Sequence, residues 1–383
     1  MNRAAGSSPV IIAGAAESPQ LGTVPGQSAM MLAVSSARLA LRQTGLAWAD
    51  VDGLASTLPV VDLASYVGIR PGWLDGTVVG GCSSMLHVRH AVAAIRSGAA
   101  SVVVVAHGES GRSRVGMPPR AVDPASMAGQ FEQPYGMSGT FSRFTLPVLA
   151  YLHTYGLSPD DLAEVPVAQS EWAAGNPRAY RDKPLDIHAV LSSRMIAWPF
   201  RVLECCPLTD GGGALVLMSA RRAADLDLEH RPVTVLGSGE SCEGPGASFM
   251  EDLTSFAGFR EASARAFRES GLTQADIDHL MIYDAYAHVP LYGLEDLGFV
   301  GRGEAVPFLR SGATRPGGSL PMNTNGGGLL YTHTGMYGMF AIQEAVRQLR
   351  GDAFAAVPGV RTSFVQGIGG MFGAAGSLVL SNT

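Results

Sequence analysis

One cysteine stands where acyl chemistry would need it. Gly80-Gly81-Cys82-Ser83-Ser84 ends an apolar run and opens a helix, in which Met85, Val88, Val92 and Ile95 recur at helical spacing. Ser83 or Ser84 could cap that helix, which sets the Cys82 sulfur at its positive end. A thiolate there is expected to have its pKa lowered toward neutrality, the condition for a nucleophile in acyl transfer. The plainer reading is a small core residue, the commoner fate of a free cysteine.

Three further stretches carry chemistry-bearing side chains. Tyr283-Asp284-Ala285-Tyr286-Ala287 follows the apolar run Leu280 to Ile282, so Asp284 is expected at the C-terminal end of a parallel strand, the edge that holds the chemistry in open α/β sheets. A carboxylate that only caps a helix is the alternative. Asn323-Thr-Asn-Gly-Gly-Gly328 leads to His333-Thr-Gly-Met-Tyr337-Gly338 and then to a helix faced by Ile342, Val346 and Leu349. A histidine on a Gly-rich turn is poorly explained by core packing and is suited to move a proton near neutral pH. Gln366-Gly-Ile-Gly369-Gly370 suits backbone N–H groups aimed at an oxyanion. It lacks the acidic residue and helix of a dinucleotide site, so NAD binding is rejected. His87 and His90 read as helix-face residues, with no visible carboxylate or Cys partner for a metal.

The elements that must position these groups are written twice. Gly45-Leu-Ala-Trp-Ala-Asp50-Val-Asp52-Gly-Leu54 matches Gly271-Leu-Thr-Gln-Ala-Asp276-Ile-Asp278-His-Leu280, each copy after a helix and before an apolar run. Gly213-Ala-Leu-Val-Leu-Met-Ser219 resembles Gly376-Ser-Leu-Val-Leu-Ser381. The first pair is offset by 226 positions and the second by 163, so the first half carries 63 extra residues. An α/β chain of two halves follows, residues 1–225 and 230–383, each a mostly parallel sheet covered by helices, together a five-layer α-β-α-β-α stack. The extra length is a Pro-rich, aromatic excursion over about 109–200, read as a substrate cover, with helices over Thr140 to Tyr155 and Asp161 to Ala174.

Composition narrows the class. The 383 residues are 46% hydrophobic and 16% charged, with a formal net charge of -6 and no basic run, which excludes a disordered or nucleic-acid-binding chain. Four cysteines (82, 205, 206 and 242) form neither a disulfide framework nor a zinc pattern. With no signal peptide and no apolar run long enough for a bilayer, a cytoplasmic enzyme or binding protein is expected.

Cys82-Ser-Ser-Met, Tyr283-Asp-Ala-Tyr-Ala, the Asn323 to His333 block and Gly369-Gly370 occur in the order found in thiolases. The chain resembles most the sterol-carrier-protein-type branch of thiolase-like and lipid-transfer proteins, over nearly its whole length. Glu204-Cys-Cys-Pro-Leu-Thr-Asp210-Gly and Leu294-Glu-Asp-Leu-Gly-Phe299 belong to the same likeness. It implies a duplicated thiolase fold, a homodimer and acyl-CoA substrates, with coenzyme A entering as part of the substrate and no permanently bound cofactor or metal. By the resemblance Cys82 is the acyl-accepting nucleophile, and His333 activates it and helps hold the thioester oxygen. Tyr283 and Asp284 fall on the family's Asn-Glu or His-Asp pair, and Gln366 on its second cysteine. Gly369, Gly370, Gln366 and Tyr337 are the substrate- and oxyanion-facing positions.

Gln366 cannot act as an acid or base, and Tyr283 is a departure shared with steroid side-chain aldolases, which work with an OB-fold DUF35-type partner. Three expectations follow: acyl transfer through Cys82 of the acetyl-CoA acetyltransferase type; retro-aldol cleavage of a β-hydroxyacyl-CoA through Tyr283 with such a partner; or a non-catalytic lipid- or acyl-CoA-binding subunit.

Overall fold

The computed structural model describes residues 8–118, 122–137 and 139–383, so residues 119–121 and 138 of the expected excursion lie outside it. Eleven strands are present among the described residues: β1 (Val10–Glu17), β2 (Gly53–Ser56), β3 (Trp73–Asp75), β4 (Val102–Ser110), β5 (Met195–Ala197), β6 (Phe200–Arg201), β7 (Asp210–Ser219), β8 (Val233–Cys242), β9 (His279–Ile282), β10 (Thr362–Gly369) and β11 (Ala374–Ser381). Nine of them form one sheet in the order β3-β2-β4-β7-β1-β8-β11-β10-β9, while β5 and β6 make a separate hairpin. Read outward from its centre, β1-β7-β4-β2 and β8-β11-β10-β9 are the same pattern written twice, and β3 is an added edge.

The sheet is mixed and not mostly parallel. Only the β2–β3, β2–β4 and β9–β10 pairings are parallel; the pairings of β7, β1, β8 and β11 with their neighbours are antiparallel. Burial on both faces marks these segments as strands but carries no information on direction. The short connection between β10 and β11 forces an antiparallel pair there.

Helix Ala29–Arg42 packs on β1, β4 and β7, and helix Ala257–Ser270 packs on β8 and β11. Helices Ser83–Ser97 and Gly338–Arg350 each touch strands of both half-sheets and fill the space between them. These layers make the α-β-α-β-α stack. Small residues allow the close approach: a Cβ on Gly14, Gly108 or Gly237 would lie 2.1–2.2 Å from the backbone of the covering helix.

The duplicated motif has a physical purpose in both copies. Gly271, at φ 74°, is the left-handed cap that ends its helix, and Gly45, at φ 69°, sits in the turn just beyond the end of the other. Asp50 and Asp276 each accept the amide three residues earlier, at 2.9 and 2.8 Å. The carboxylate of Asp52 accepts the amides of Ser101 and Val102, and that of Asp278 those of Arg361 and Thr362. Each second acid thereby ties the parallel strand of its repeat to the neighbouring strand. The excursion holds helices Thr140–Thr154 and Glu164–Ala173, the latter preceded by a 3-10 turn over Pro159–Ala163.

Candidate functional site

Strand β9 ends at Ile282, and its edge is completed by a side chain. Asn323, at φ 53°, accepts the Ile282 amide and donates to the Ile282 carbonyl, both at 2.9 Å. Its partner Asn325 accepts from the Gly327 amide and the Tyr337 hydroxyl at 2.8 Å. These contacts account for Asn-x-Asn-Gly-Gly, and they deliver Tyr283 to the centre of the molecule.

There the Tyr283 hydroxyl lies 2.9 Å from His333 Nε2 and receives the Tyr337 amide at 3.1 Å. With that amide donating to the phenol oxygen, the phenol's own proton is free to point at Nε2, an arrangement that goes with the His333 tautomer protonated on Nδ1. Burial holds the imidazole neutral, with its pKa down to about 4, and pushes the phenol well above its ordinary value. Residue 333 is pinned from both sides: Thr209 Oγ1 accepts its amide at 2.9 Å, and the Thr209 amide donates to its carbonyl at 3.1 Å. The following loop is fixed by Glu109, whose Oε2 accepts Thr334 Oγ1 and the Met336 amide, both at 2.8 Å. Thr209 and Glu109 lie more than 100 residues from the groups they position, and no local spacing marked them.

Cys82 is fully buried at the N-terminus of Ser83–Ser97. Burial pushes its thiol up to about 12, against the expected fall toward neutrality. The helix end is positive, but desolvation of a thiolate outweighs half a unit of charge. Among the described residues no side chain hydrogen-bonds its sulfur, and His333 is engaged by Tyr283 instead. The loop Val79 to Gly81 lies against Gly369: a Cβ there would stand 1.9 Å from the Val79 carbonyl oxygen and 2.9 Å from Cys82 Sγ. Gly370 borders the same loop, its amide 2.8 Å from where a Gly80 Cβ would be. A Cβ on Gly81 would stand 2.4 Å from the Tyr283 ring, so this one glycine separates the two groups.

Gln366 does not face Cys82. Strand alternation puts Gly367 and Gly369 on the cysteine's side, and a Gly367 Cβ would lie 2.9 Å from that of Cys82. The Gln366 amide instead accepts Ser377 Oγ at 2.6 Å and donates to the Gly367 carbonyl at 3.1 Å. The position opposite the sulfur is therefore a glycine, with no side chain to give or take a proton.

Asp284 is buried beside the pair but turned away, accepting the amides of Gly328 at 2.6 Å and Leu329 at 3.1 Å. It caps the short helix Gly327–Leu330, and burial raises its pKa to about 8. His90 has carboxylate partners after all, Asp75 at 2.8 Å and Glu240 at 3.0 Å, which raise it to about 9. Glu240 is too distant in sequence to be seen beforehand. Among the described residues, no group of three or more such side chains could hold a metal, and no helix is long and apolar enough to cross a membrane. A cavity of about 600 Å³ between Pro19 to Thr23 and Pro177 to Tyr180 contains none of the expected site residues.

A 17-hydroxy-3-oxo-4-pregnene-20-carboxyl-CoA lyase of Mycobacterium tuberculosis is 35% identical to this chain over 353 residues, covering 88% of the chain and 90% of that protein. The chain belongs to the thiolase superfamily. The family description "thiolase C-terminal domain-like" matches residues 239–382. An acetyl-CoA acetyltransferase of Methanothermobacter thermautotrophicus is 30% identical over 322 residues, covering 83% of this chain and 82% of that one. The solved structure of an Ltp2-ChsH2(DUF35) aldolase superposes with a TM-score of 0.89 at 29% identity over 97% of each chain. These likenesses make the protein a thiolase-superfamily enzyme, with both acyl transfer and aldol cleavage among its relatives.

Proposed function

We propose that this enzyme is a retro-aldol lyase for β-hydroxyacyl-CoA thioesters, with Tyr283 and His333 as its proton-transfer pair. The observation that carries this reading is the 2.9 Å contact from Tyr283 Oη to His333 Nε2, beside a cysteine that has no such partner. In the reaction the substrate's β-hydroxyl gives its proton to Tyr283 Oη as the phenol proton moves to His333 Nε2. The β-oxygen becomes a carbonyl, the Cα–Cβ bond breaks, and its electrons pass to the thioester as an enolate. The imidazolium returns the proton through the tyrosine to Cα, leaving a ketone or aldehyde and a shortened acyl-CoA. The Tyr337 amide, donating to Oη, steadies negative charge on that oxygen while the proton is in transit. Coenzyme A takes part only within the substrate.

The names of the lyase and aldolase relatives support the same chemistry. On this reading the chain works as a homodimer with an OB-fold DUF35-type partner. Exposed Phe131, Tyr135 and Trp198 on the excursion, and Val61, Tyr66 and Leu74 beside the edge strand β3, supply apolar surface for such assembly.

A second reading keeps acyl transfer to Cys82. It is favoured by the placement of that sulfur at a helix N-terminus against the Gly369 backbone. Turnover of a β-hydroxyacyl-CoA separates the two. Tyr283→Phe should lower kcat by about 10³-fold while Cys82→Ala stays within about threefold of the parent. The reverse ranking, or an acyl adduct on Cys82 in the intact mass, sinks the lyase.

A further inference from the structure

The amide that meets the Tyr283 hydroxyl belongs to the turn Gly335-Met336-Tyr337-Gly338, which runs into helix Gly338–Arg350. Each residue of that turn is held by a distant part of the chain. Gly335, at φ 134°, lies against Glu109, whose Oε1 would be 2.7 Å from a Cβ there. The Met336 amide donates to Glu109 Oε2 at 2.8 Å. A Cβ on Gly338 would stand 2.2 Å from the Gly81 carbonyl oxygen, so the helix end needs glycine to seat beside Gly81. Tyr337 is fully buried, its ring edge-on to that of Tyr283 at 5.7 Å between centroids, and its hydroxyl lies 2.8 Å from Asn325 Oδ1.

Asn325 fixes the sense of that last bond. The Gly327 amide, which can only donate, lies 2.8 Å from the same oxygen, so the atom is the carbonyl and the Tyr337 hydroxyl donates to it. Sense matters again one step further on. His333 can take the phenol proton only while Nε2 is bare; an Nε2–H donating to Tyr283 Oη would leave it nothing to accept with. A hydroxyl hydrogen rotates to suit its neighbours. The Tyr337 amide, donating to Oη, occupies one side of that oxygen and leaves the side of His333 to the hydrogen. The mechanism above uses this amide but neither of the side chains that fix it.

We infer that the Tyr337 phenol and Asn325 are positioning groups that set the direction of the Tyr283–His333 hydrogen bond, keeping the phenol as donor and Nε2 as acceptor. They act through the residue 337 amide: the Asn325 carbonyl anchors the Tyr337 side chain, and the anchored side chain keeps its own amide aimed at Oη. Loosened, the amide drifts from Oη, and the phenol hydrogen is free to turn away from Nε2. This deepens the lyase reading and rests on it only for the effect on turnover.

The test reads the resting enzyme, without substrate. A long-range proton–nitrogen NMR spectrum of protein carrying nitrogen-15 histidine, with the His333 signals assigned by their loss in His333→Gln, shows which ring nitrogen holds the proton. The parent should show the Nδ1–H form near neutral pH. An Nε2–H form there overturns the inference with no variant needed. Tyr337→Phe keeps the ring and loses the hydroxyl, while Asn325→Leu loses the acceptor. Each should give a mixture of the two forms and lower kcat about tenfold, with KM within about twofold. The double variant should be no worse than either single one, since all three lack the same bond, whereas merely structural losses would add. Asn325→Asp, which keeps an acceptor oxygen, should restore the parent's tautomer. A parent-like tautomer in both Tyr337→Phe and Asn325→Leu, or additive losses in the double variant, overturns the assignment. A shifted tautomer with unchanged kcat upholds it and counts against the lyase reading instead, so the two failures are distinct.

Discussion

Cys82 and Tyr283 lie on either side of Gly81, equally deep in the protein, and their surroundings differ in what they offer a proton. The sulfur meets glycine backbone at 367 and 369 and the thioether of Met85 nearby, so burial is opposed by almost nothing and the thiol stays protonated. The phenol meets an imidazole nitrogen and a backbone amide, so burial strengthens a hydrogen-bonded relay already in place. Depth alone therefore does not make a reactive group. What distinguishes the two sides is a partner that can change protonation state, and only the Tyr283 side has one.

The largest expected effect comes from removing that partner. His333→Gln preserves a hydrogen-bonding side chain but not a titrating one, and kcat should fall by about 10²- to 10³-fold. The pH profile tells this loss apart from a structural one. With the folded imidazole at about 4, the parent's kcat/KM should stay level down to about pH 5 and decline below it, and the variant should lose that acid limb. Stability carries the same signature. The unfolded chain takes up a proton as pH drops below about 6.5 and the native His333 does not until about 4, so acidification through that window destabilises the fold. His107, also lowered to about 4 by burial, adds to the decline. An unchanged rate in a folded His333→Gln would leave the two sides of Gly81 on equal terms.

Next in size is the divider itself. Gly81→Ala would place a methyl 2.4 Å from the Tyr283 ring and 2.6 Å from the Ile368 carbonyl oxygen, neither of them at the free end of a flexible chain. A loss of about 2–3 kcal/mol in a denaturant titration is expected, with activity falling further than the folded fraction because the ring must move off His333. Activity that tracks the folded fraction alone would show that the phenol's position is not critical.

Much of this arrangement is legible in the chain, for identifiable reasons. The repeat is readable because Asp50, Asp52 and their copies serve backbone amides at fixed local spacing, and such constraints leave a local imprint. Strand direction is not, since a strand buried on both faces has the same pattern either way. The thiol of Cys82 is pushed up and not down because a helix terminus can be read from local sequence, whereas the strand that seals the sulfur comes from residues 367–369. Gln366 was placed one residue away from the position that faces the sulfur, and in a strand a one-residue slip reverses the face. Glu109 and Thr209 carry no spacing signal, because each acts on groups that only the fold brings near.

The smallest effect is expected at Asp284, the carboxylate closest in sequence to the phenol. Although two amides donate to it, burial dominates and raises its pKa to about 8, so at neutral pH it is mostly the uncharged acid. The unfolded value is near 4, and between pH 4 and 8 the native state holds a proton that the unfolded chain has released. Its stabilising contribution is therefore complete below about pH 4 and is lost as pH rises through 8. Asparagine resembles the neutral acid: its carbonyl can still accept the Gly328 amide, and the lost Leu329 contact costs about 1 kcal/mol. Asp284→Asn should accordingly stay within about 1 kcal/mol of the parent at pH 6, and its stability should decline less than the parent's between pH 6 and 9. Its kcat should remain within about twofold, since a group that only caps Gly327–Leu330 has no part in the proton's path. Melting curves at pH 6 and 9 beside steady-state rates decide the matter. A well-folded Asp284→Asn with no activity would make the carboxyl a third member of the relay, and the contrast with Cys82 would then rest on three groups instead of two.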